Sequence, residues 1–394
     1  MNSRYQVARG LRGYLAGATA ARAGDEMSGP ALLLLGFAVT GRPAAGSGLL
    51  ASVTIAGAVG GPVFGALLDR SSRPDRVQAW ALAGYALGIT AVLAALGRLP
   101  LPAVVPVALA AGLFSPAVAG GWTAQLPRVV TGRELDRASA LDALTYTAAS
   151  LAGPALAAAV TAGMGARMAV LTAAALVALA TPAACSLARY RPGTPDPAAP
   201  DRPALRRQMA GGFAVIAARR PLRRATVTSA VSYAGIGMLL TCCPVLGAQR
   251  LGSPARGALL ISAMAVASLA ANGVLARKAA RSGSGRPEIL VITSTLVMGA
   301  GMAAAAAPGW LTLAAVALAG AGEGPQLTAL FAIRHRETPA RMRGQVYTTA
   351  ASLKIAGLAG GAALGGPLAG HSVTACLLIA AGTELCAAAC GLLS

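Results

Sequence analysis

Apolar positions along the chain fall into runs of about 20 residues separated by short polar gaps, the length a helix needs to cross a bilayer. Residues 47–68 show the pattern cleanly. No charge interrupts them, and then Asp69, Arg70, Arg73, Asp75 and Arg76 follow within eight positions. A new apolar run begins at Val77, so the local expectation is a tight charged hairpin between two spans. Twelve such runs are read, at 13–38, 47–68, 77–97, 102–125, 139–162, 167–188, 226–248, 255–276, 288–307, 309–332, 345–369 and 372–393. In hydrocarbon the backbone must satisfy itself, which leaves the helix as the form of each run. The expected fold class is an all-α membrane protein with twelve transmembrane helices.

The widest polar gap sits midway. It opens with a Pro-rich linker, Pro192 to Pro203, which cannot be regular helix. Leu205, Met209, Phe213 and Ile216 then recur at helical spacing beside Arg206, Arg207, Arg219 and Arg220, a pattern for an amphipathic helix on the membrane surface. Gly211 and Gly212 weaken that helix. The halves on either side echo one another. Asn272 to Lys278 matches the Gly65 stretch, Thr349 to Leu353 matches Thr147 to Leu151, and Gly324-Pro325 matches Ser115-Pro116, all at nearly one offset. Two pseudo-symmetric six-helix bundles follow, with a path between them at the midplane. The boundaries read as 1–188, a cytoplasmic linker at 189–224, and 225–394.

Composition agrees with a membrane chain: 56% of residues are apolar, 12% are charged, and mean hydropathy is +0.64. A net charge of +20 suggests nucleic acid only until the charges are located. Of 33 Lys and Arg residues, 26 lie in the N-terminal stretch and the even-numbered gaps. Five (Arg42, Arg98, Arg167, Arg250 and Arg256) lie in the odd-numbered gaps. That asymmetry excludes a nucleic-acid surface and predicts both termini in the cytoplasm. The first run, broken by Arg22, Asp25 and Glu26, reads as a span and not as a cleavable leader. The six cysteines all fall in apolar runs, and His335 and His371 are the only histidines, so no metal site is expected. Gly320-Ala-Gly-Glu-Gly324 lies inside an apolar run with no strand before it, so it is not a phosphate loop. No enzyme motif and no cofactor site is read.

Gly65, Leu67, Asp69, Arg70 and Arg73 resemble the loop between helices 2 and 3 of the major facilitator superfamily, with the pattern G-x-L-a-D-r-x-G-r-k. Ser72 and Pro74 depart from it, and in the second half Arg277 stands where the aspartate would be. Span 5 resembles the antiporter-associated pattern G-x8-G-x3-G-P-x2-G-G. Only Gly153-Pro154 is literal there, but Ala140, Ala149, Ala157 and Ala158 keep the other positions small enough for close helix packing. Gly324-Pro-Gln-Leu, Arg334-His-Arg, Pro339 and Arg343-Gly344 look like the span 10–11 junction of bacterial efflux members. The resemblance implies that Asp69 meets the start of helix 11 near Gly344 and Gln345. It also implies that spans 1, 4, 7 and 10 line a central cavity.

Some charges cannot be loops. Arg22, Asp25 and Glu26 sit centrally in span 1, Glu323 in span 10, Lys354 in span 11 and Glu384 in span 12. Each costs roughly 2.5–3.5 kcal/mol or more unless paired or hydrated. Residues 22, 25 and 26 share one helical face, where Arg22 can neutralise one acid but not both. Two cations against four acids leave an acid to carry a proton for part of the time. Arg22, Asp25, Glu26, Glu323 and Lys354 are therefore the expected coupling and cavity residues, with Lys354 the counter-ion of Glu323 or of Glu384. Glu384, in a span peripheral in this fold, is expected to be structural. Tyr146, Gln125, Trp122, Tyr233, Gln326 and Asn272 are further candidate cavity groups. The resulting expectation is a monomeric secondary transporter of the cytoplasmic membrane that exports a small amphipathic compound in exchange for protons. A proton-coupled nutrient importer of the same fold, or a membrane sensor without flux, are the alternatives.

Overall fold

The structure, a computed structural model, describes residues 2–41, 43–130, 134–187, 205–252, 256–282, 286–307, 309 and 311–393. The Pro-rich linker and the loop residues Arg42 and Arg133 lie outside the described residues. Twelve helices carry the expected spans. They are α1 (Asn2–Thr40), α2 (Pro43–Arg70), α3 (Pro74–Ala95), α4 (Leu101–Gly112), α5 (Glu134–Met164) and α6 (Ala166–Leu179), then α7 (Arg220–Leu251), α8 (Gly257–Ser282), α9 (Pro287–Ala306), α10 (Thr312–Glu337), α11 (Arg343–His371) and α12 (Val373–Leu393). A linker helix, Leu205–Ala218, stands between α6 and α7. No strand forms among the described residues.

Span 4 is not the single helix expected over 102–125. It breaks after Gly112 and continues as short turns at Ser115–Ala117, Gly120–Thr123 and Leu126–Val129. Pro116 and Pro127 remove the amide donors that a continuous helix would need there. Pro182 interrupts span 6 in the same way, leaving a separate turn at Thr181–Ser186.

Large apolar side chains point outward. Trp80 is 76% exposed, Leu87 70% and Leu179 67%, which a water-soluble protein does not tolerate in number but a lipid-facing surface requires. Nine helices are long and apolar enough to span a membrane among the described residues. The long helices outside these nine are α1, α10 and α11, the ones carrying Arg22 to Glu26, Glu323 and Lys354.

The chain forms two compact units. The first comprises Met1–Leu135, Ala148–Ala214 and Thr338–Ser352; the second comprises Asp136–Thr147, Val215–Glu337 and Leu353–Ser394. In the first unit glycine sets the helix spacing. A Cβ at Gly153 on α5 would lie 2.6 Å from Glu26 Cβ on α1, and one at Gly24 would lie 2.6 Å from the Ala173 carbonyl on α6. Ala149 and Ala157 are buried on the same face of α5, while Pro154 and Ala158 are exposed, so the small-residue pattern is a packing face only in part. The linker helix buries Ile216 and leaves Phe213 exposed. Its two glycines face the start of α11, where a Cβ at Gly212 would come within 3.0 Å of Gln345 Cβ. The feature that weakens this helix also lets it lie close.

In the second unit Gly357, Gly361 and Gly365 form one stripe of α11 against Ala230, Ala234 and Met238 of α7, with the two stripes in step every fourth residue. A Cβ at Gly357 or Gly361 would collide with the carbonyl of Ala230 or Ala234. Arg250 closes the C-terminal end of α9 by donating to the Ala305 and Ala306 carbonyls and to Thr312 Oγ1. A cation at that end also suits the helix dipole. Arg336 ties the end of α10 to the start of α9 through Glu288.

Candidate functional site

Asp69 is the next-to-last residue of α2, and its carboxylate meets the first residues of α11. Oδ1 accepts the Gly344 amide at 2.7 Å and Oδ2 accepts the Gln345 amide at 2.8 Å. Those amides have no partner inside their own helix, so a carboxylate that takes both satisfies two orphan donors and the helix dipole together. The approach depends on absent side chains. A Cβ at Gly65 would strike Thr348 Oγ1 and lie 2.6 Å from Gln345 Cα, and one at Gly344 would lie 2.7 Å from Asp69 Oδ1. Gly120, in the broken span 4, packs as closely on the Tyr347 carbonyl.

The guanidinium groups of Arg70 and Arg73 have no bonded partner among the described residues, Arg70 half-buried and Arg73 exposed. The charge that reaches Asp69 is that of Arg128 in the turn Leu126–Val129. Sequence reasoning counted Arg128 only as a loop charge. Asp75 and Gln78 were likewise passed over. Both are buried in the first turns of α3, where Gln78 Nε2 donates to the Ala117 carbonyl at 2.7 Å and holds the broken span 4 in place.

In α1 the expected cluster draws partners from other helices. Asp25 Oδ1 accepts the Tyr85 hydroxyl of α3 at 2.7 Å, and Tyr85 shares a hydrogen bond with Ser28. Tyr85, not Arg22, is thus the bonded partner of Asp25. Arg22 is buried and donates through Nη2 to Thr123 Oγ1 at 2.9 Å. The Arg22 side chain thus reaches span 4 from the face of α1 that carries the two acids. Asp25 and Glu26 are both partly exposed. Glu26 stands against Gly153 of α5.

The second unit holds the other group. Glu323 Oε1 accepts the Tyr233 hydroxyl at 3.4 Å, and Lys354 Nζ lies 4.4 Å from the Tyr233 ring centroid and 5.4 Å from that of Tyr146. These are cation–π distances. The Lys354 charge acts on Glu323, whereas the groups acting on Glu384 are Ser232 and Glu323. Lys354 is therefore the counter-charge of Glu323. Glu323, Lys354 and Tyr146 are all partly exposed.

Tyr146 and Tyr233 thus join the site. Trp122, Gln125, Gln326 and Asn272 are fully buried in helix packing. Gln326 donates to Ser232 and Thr295, and Asn272 accepts from Thr328. Asp142 was missed outright. It lies inside the expected span 5, where its charge was the available signal, and it is fully buried. Among the described residues no group of three or more metal-ligating side chains converges.

Residues 14–362 match the family described as the Major Facilitator Superfamily. The chain belongs to the major facilitator superfamily. It is 30% identical to an uncharacterized MFS-type transporter, y4rN, of Sinorhizobium fredii, over 96% of this chain and 93% of that one. Its fold is similar to that of a bacterial homologue of the iron transporter ferroportin in an outward-facing state, with a TM-score of 0.78 at 14% identity over 97% and 98% of the two chains. It is also similar to the proton:xylose symporter XylE, with a TM-score of 0.70 at 15% identity over 99% and 95%. The protein is accordingly a multi-pass membrane protein and a secondary transporter, with the all-helical fold expected from its sequence. Membership also sets enzymatic activity aside.

Proposed function

We propose that this transporter exports a small amphipathic compound, a drug or a secondary metabolite, across the cytoplasmic membrane in exchange for protons. It works by alternating access, as a monomer, with both termini in the cytoplasm. The observation that carries the reading is the pair of partly exposed acid groups inside membrane helices. Asp25 and Glu26 lie on α1, and Glu323 lies on α10 beside a single cation, Lys354. Carboxyl groups so placed are costly unless they do something, and binding and releasing a proton is the chemistry open to them. The Gly153–Glu26 approach supports export in particular, because it puts the antiporter-like packing residue of α5 directly on an α1 acid.

The test is substrate-dependent proton movement in membrane vesicles, using compounds found by screening a deletion strain for lost resistance or lost secretion. Antiport predicts that protons move against the direction of the compound. Protons moving with it would make the protein a symporter that imports a nutrient. No compound-dependent proton movement at all would remove the coupling.

A further inference from the structure

Glu384 stands midway along α12, fully buried, and its carboxylate oxygens make no well-formed hydrogen bond, although the Ser232 hydroxyl of α7 acts on them. Two glycines make its room. A Cβ at Gly235 on α7 would lie 3.0 Å from Glu384 Oε1, and a Cβ at Gly299 on α9 would lie 3.1 Å from Glu384 Cβ. The neighbouring polar groups are also incompletely used. Ser232 on α7 accepts from Gln326 Nε2 at 3.0 Å, while Gln326 Oε1 and Ser229 Oγ are buried without a bonded partner.

The titratable and charged groups around this acid come from four helices. α7 brings Tyr233, which donates to Glu323; α10 brings Glu323, whose charge reaches Glu384; α11 brings Lys354, whose charge acts on Glu323. α12 itself carries Cys386 and Cys390. α9 contributes no charge at this depth, only Gly299 and the Thr295 hydroxyl that Gln326 already uses. An ionised carboxylate here has no cation beside it and only the Ser232 hydroxyl to stand in for water, whereas the neutral acid costs far less to bury.

We infer that Glu384 is a second proton-binding carboxyl of this unit, which ionises and reprotonates in electrostatic contact with Glu323. Each negative charge opposes the other, so the pair gives up its protons in two steps that belong to both. The use of this site in transport rests on the proton-coupled reading; the site itself does not.

Infrared spectroscopy of the purified full-length protein in lipid tests it without any flux measurement. At neutral pH the difference between the native protein and Glu384→Gln is expected to show one carboxylic-acid carbonyl band, at the position of a buried, weakly hydrogen-bonded carboxyl. That band is lost as the pH is raised. In Glu323→Gln it is lost at a lower pH, because the opposing negative charge is gone. If Glu384→Gln does not fold, Glu384→Asp keeps the acid, and the band must then move. Carboxylate bands at neutral pH in place of the acid band would overturn the inference. So would an acid band that survives unchanged into strong alkali, which would make Glu384 a fixed packing group. Intact band behaviour combined with no pH-driven transport would remove the proposed coupling and leave this site standing.

Discussion

The carboxylate of Asp69 closes the first turn of α11, accepting the amide of Gly344 through one oxygen and that of Gln345 through the other. A contact made by two charge-assisted bonds is worth about 1.5–3 kcal/mol per bond, small enough to break and remake in a conformational cycle. Asp69→Asn keeps the shape but loses the charge and one of the two acceptors. It is expected to slow transport several-fold while leaving substrate affinity nearly unchanged. Rate and affinity measured on one preparation decide this, and an affinity loss equal to the rate loss would place Asp69 in the binding site.

The two halves of the chain supply a matched pair of glycines. Gly65→Ala puts a methyl into Thr348 and Gln345, whereas at Gly273, its counterpart in the repeat, nothing lies within 4 Å. Gly65→Ala should destabilise by about 1–3 kcal/mol through overpacking and should cut transport. Gly273→Ala should be neutral, or stabilising by up to about 1 kcal/mol through helix propensity. Thermal unfolding of the two purified variants compares them directly, and equal effects would mean that the α2–α11 approach does not depend on Gly65.

Lys354 lies over two tyrosine rings and beside Glu323. Lys354→Gln removes the counter-charge and should reduce pH-driven transport at least ten-fold with little change in thermal stability, because the side chain is partly exposed. Tyr233→Phe, which keeps the ring but removes the donor to Glu323, should cost less than Lys354→Gln. The reverse order would assign the hydroxyl the larger role.

Arg250 makes three bonds at the end of α9, to Ala305, Ala306 and Thr312. Arg250→Met keeps its apolar stem, so the expected loss, about 2 kcal/mol, is that of the charge-assisted cap alone. Thermal unfolding measures it, while the pH dependence of transport should not move. A changed pH profile would show that Arg250 takes part in coupling.

Spans and the linker helix were legible in the sequence because each rests on a local pattern, whereas the Asp69 contact followed only from the resemblance to the major facilitator superfamily. Apolar length marks a helix, and a glycine-spaced acid between two runs marks the loop. Partners were less legible, because a charge in an apolar run announces its cost but not its neighbour. Arg22 is one turn from Asp25 in sequence, yet it bonds Thr123, and Asp25 takes Tyr85 from α3. The break in span 4 was written in Pro116 and Pro127, but counting apolar residues does not register a missing amide. Asp142 and Glu384 sat in plain view inside spans. Only burial, set by tertiary packing, separates them from acids that face water.

The central claim is that the membrane-embedded acids carry the coupling proton. It is tested by transport in inverted vesicles, with and without an imposed pH gradient, for Glu323→Gln, Asp25→Asn and Glu26→Gln. The account predicts that Glu323→Gln and at least one of the two α1 variants lose gradient-driven transport while downhill exchange of substrate survives, since exchange needs the site but not the proton. Native gradient-driven flux in all three variants would contradict it.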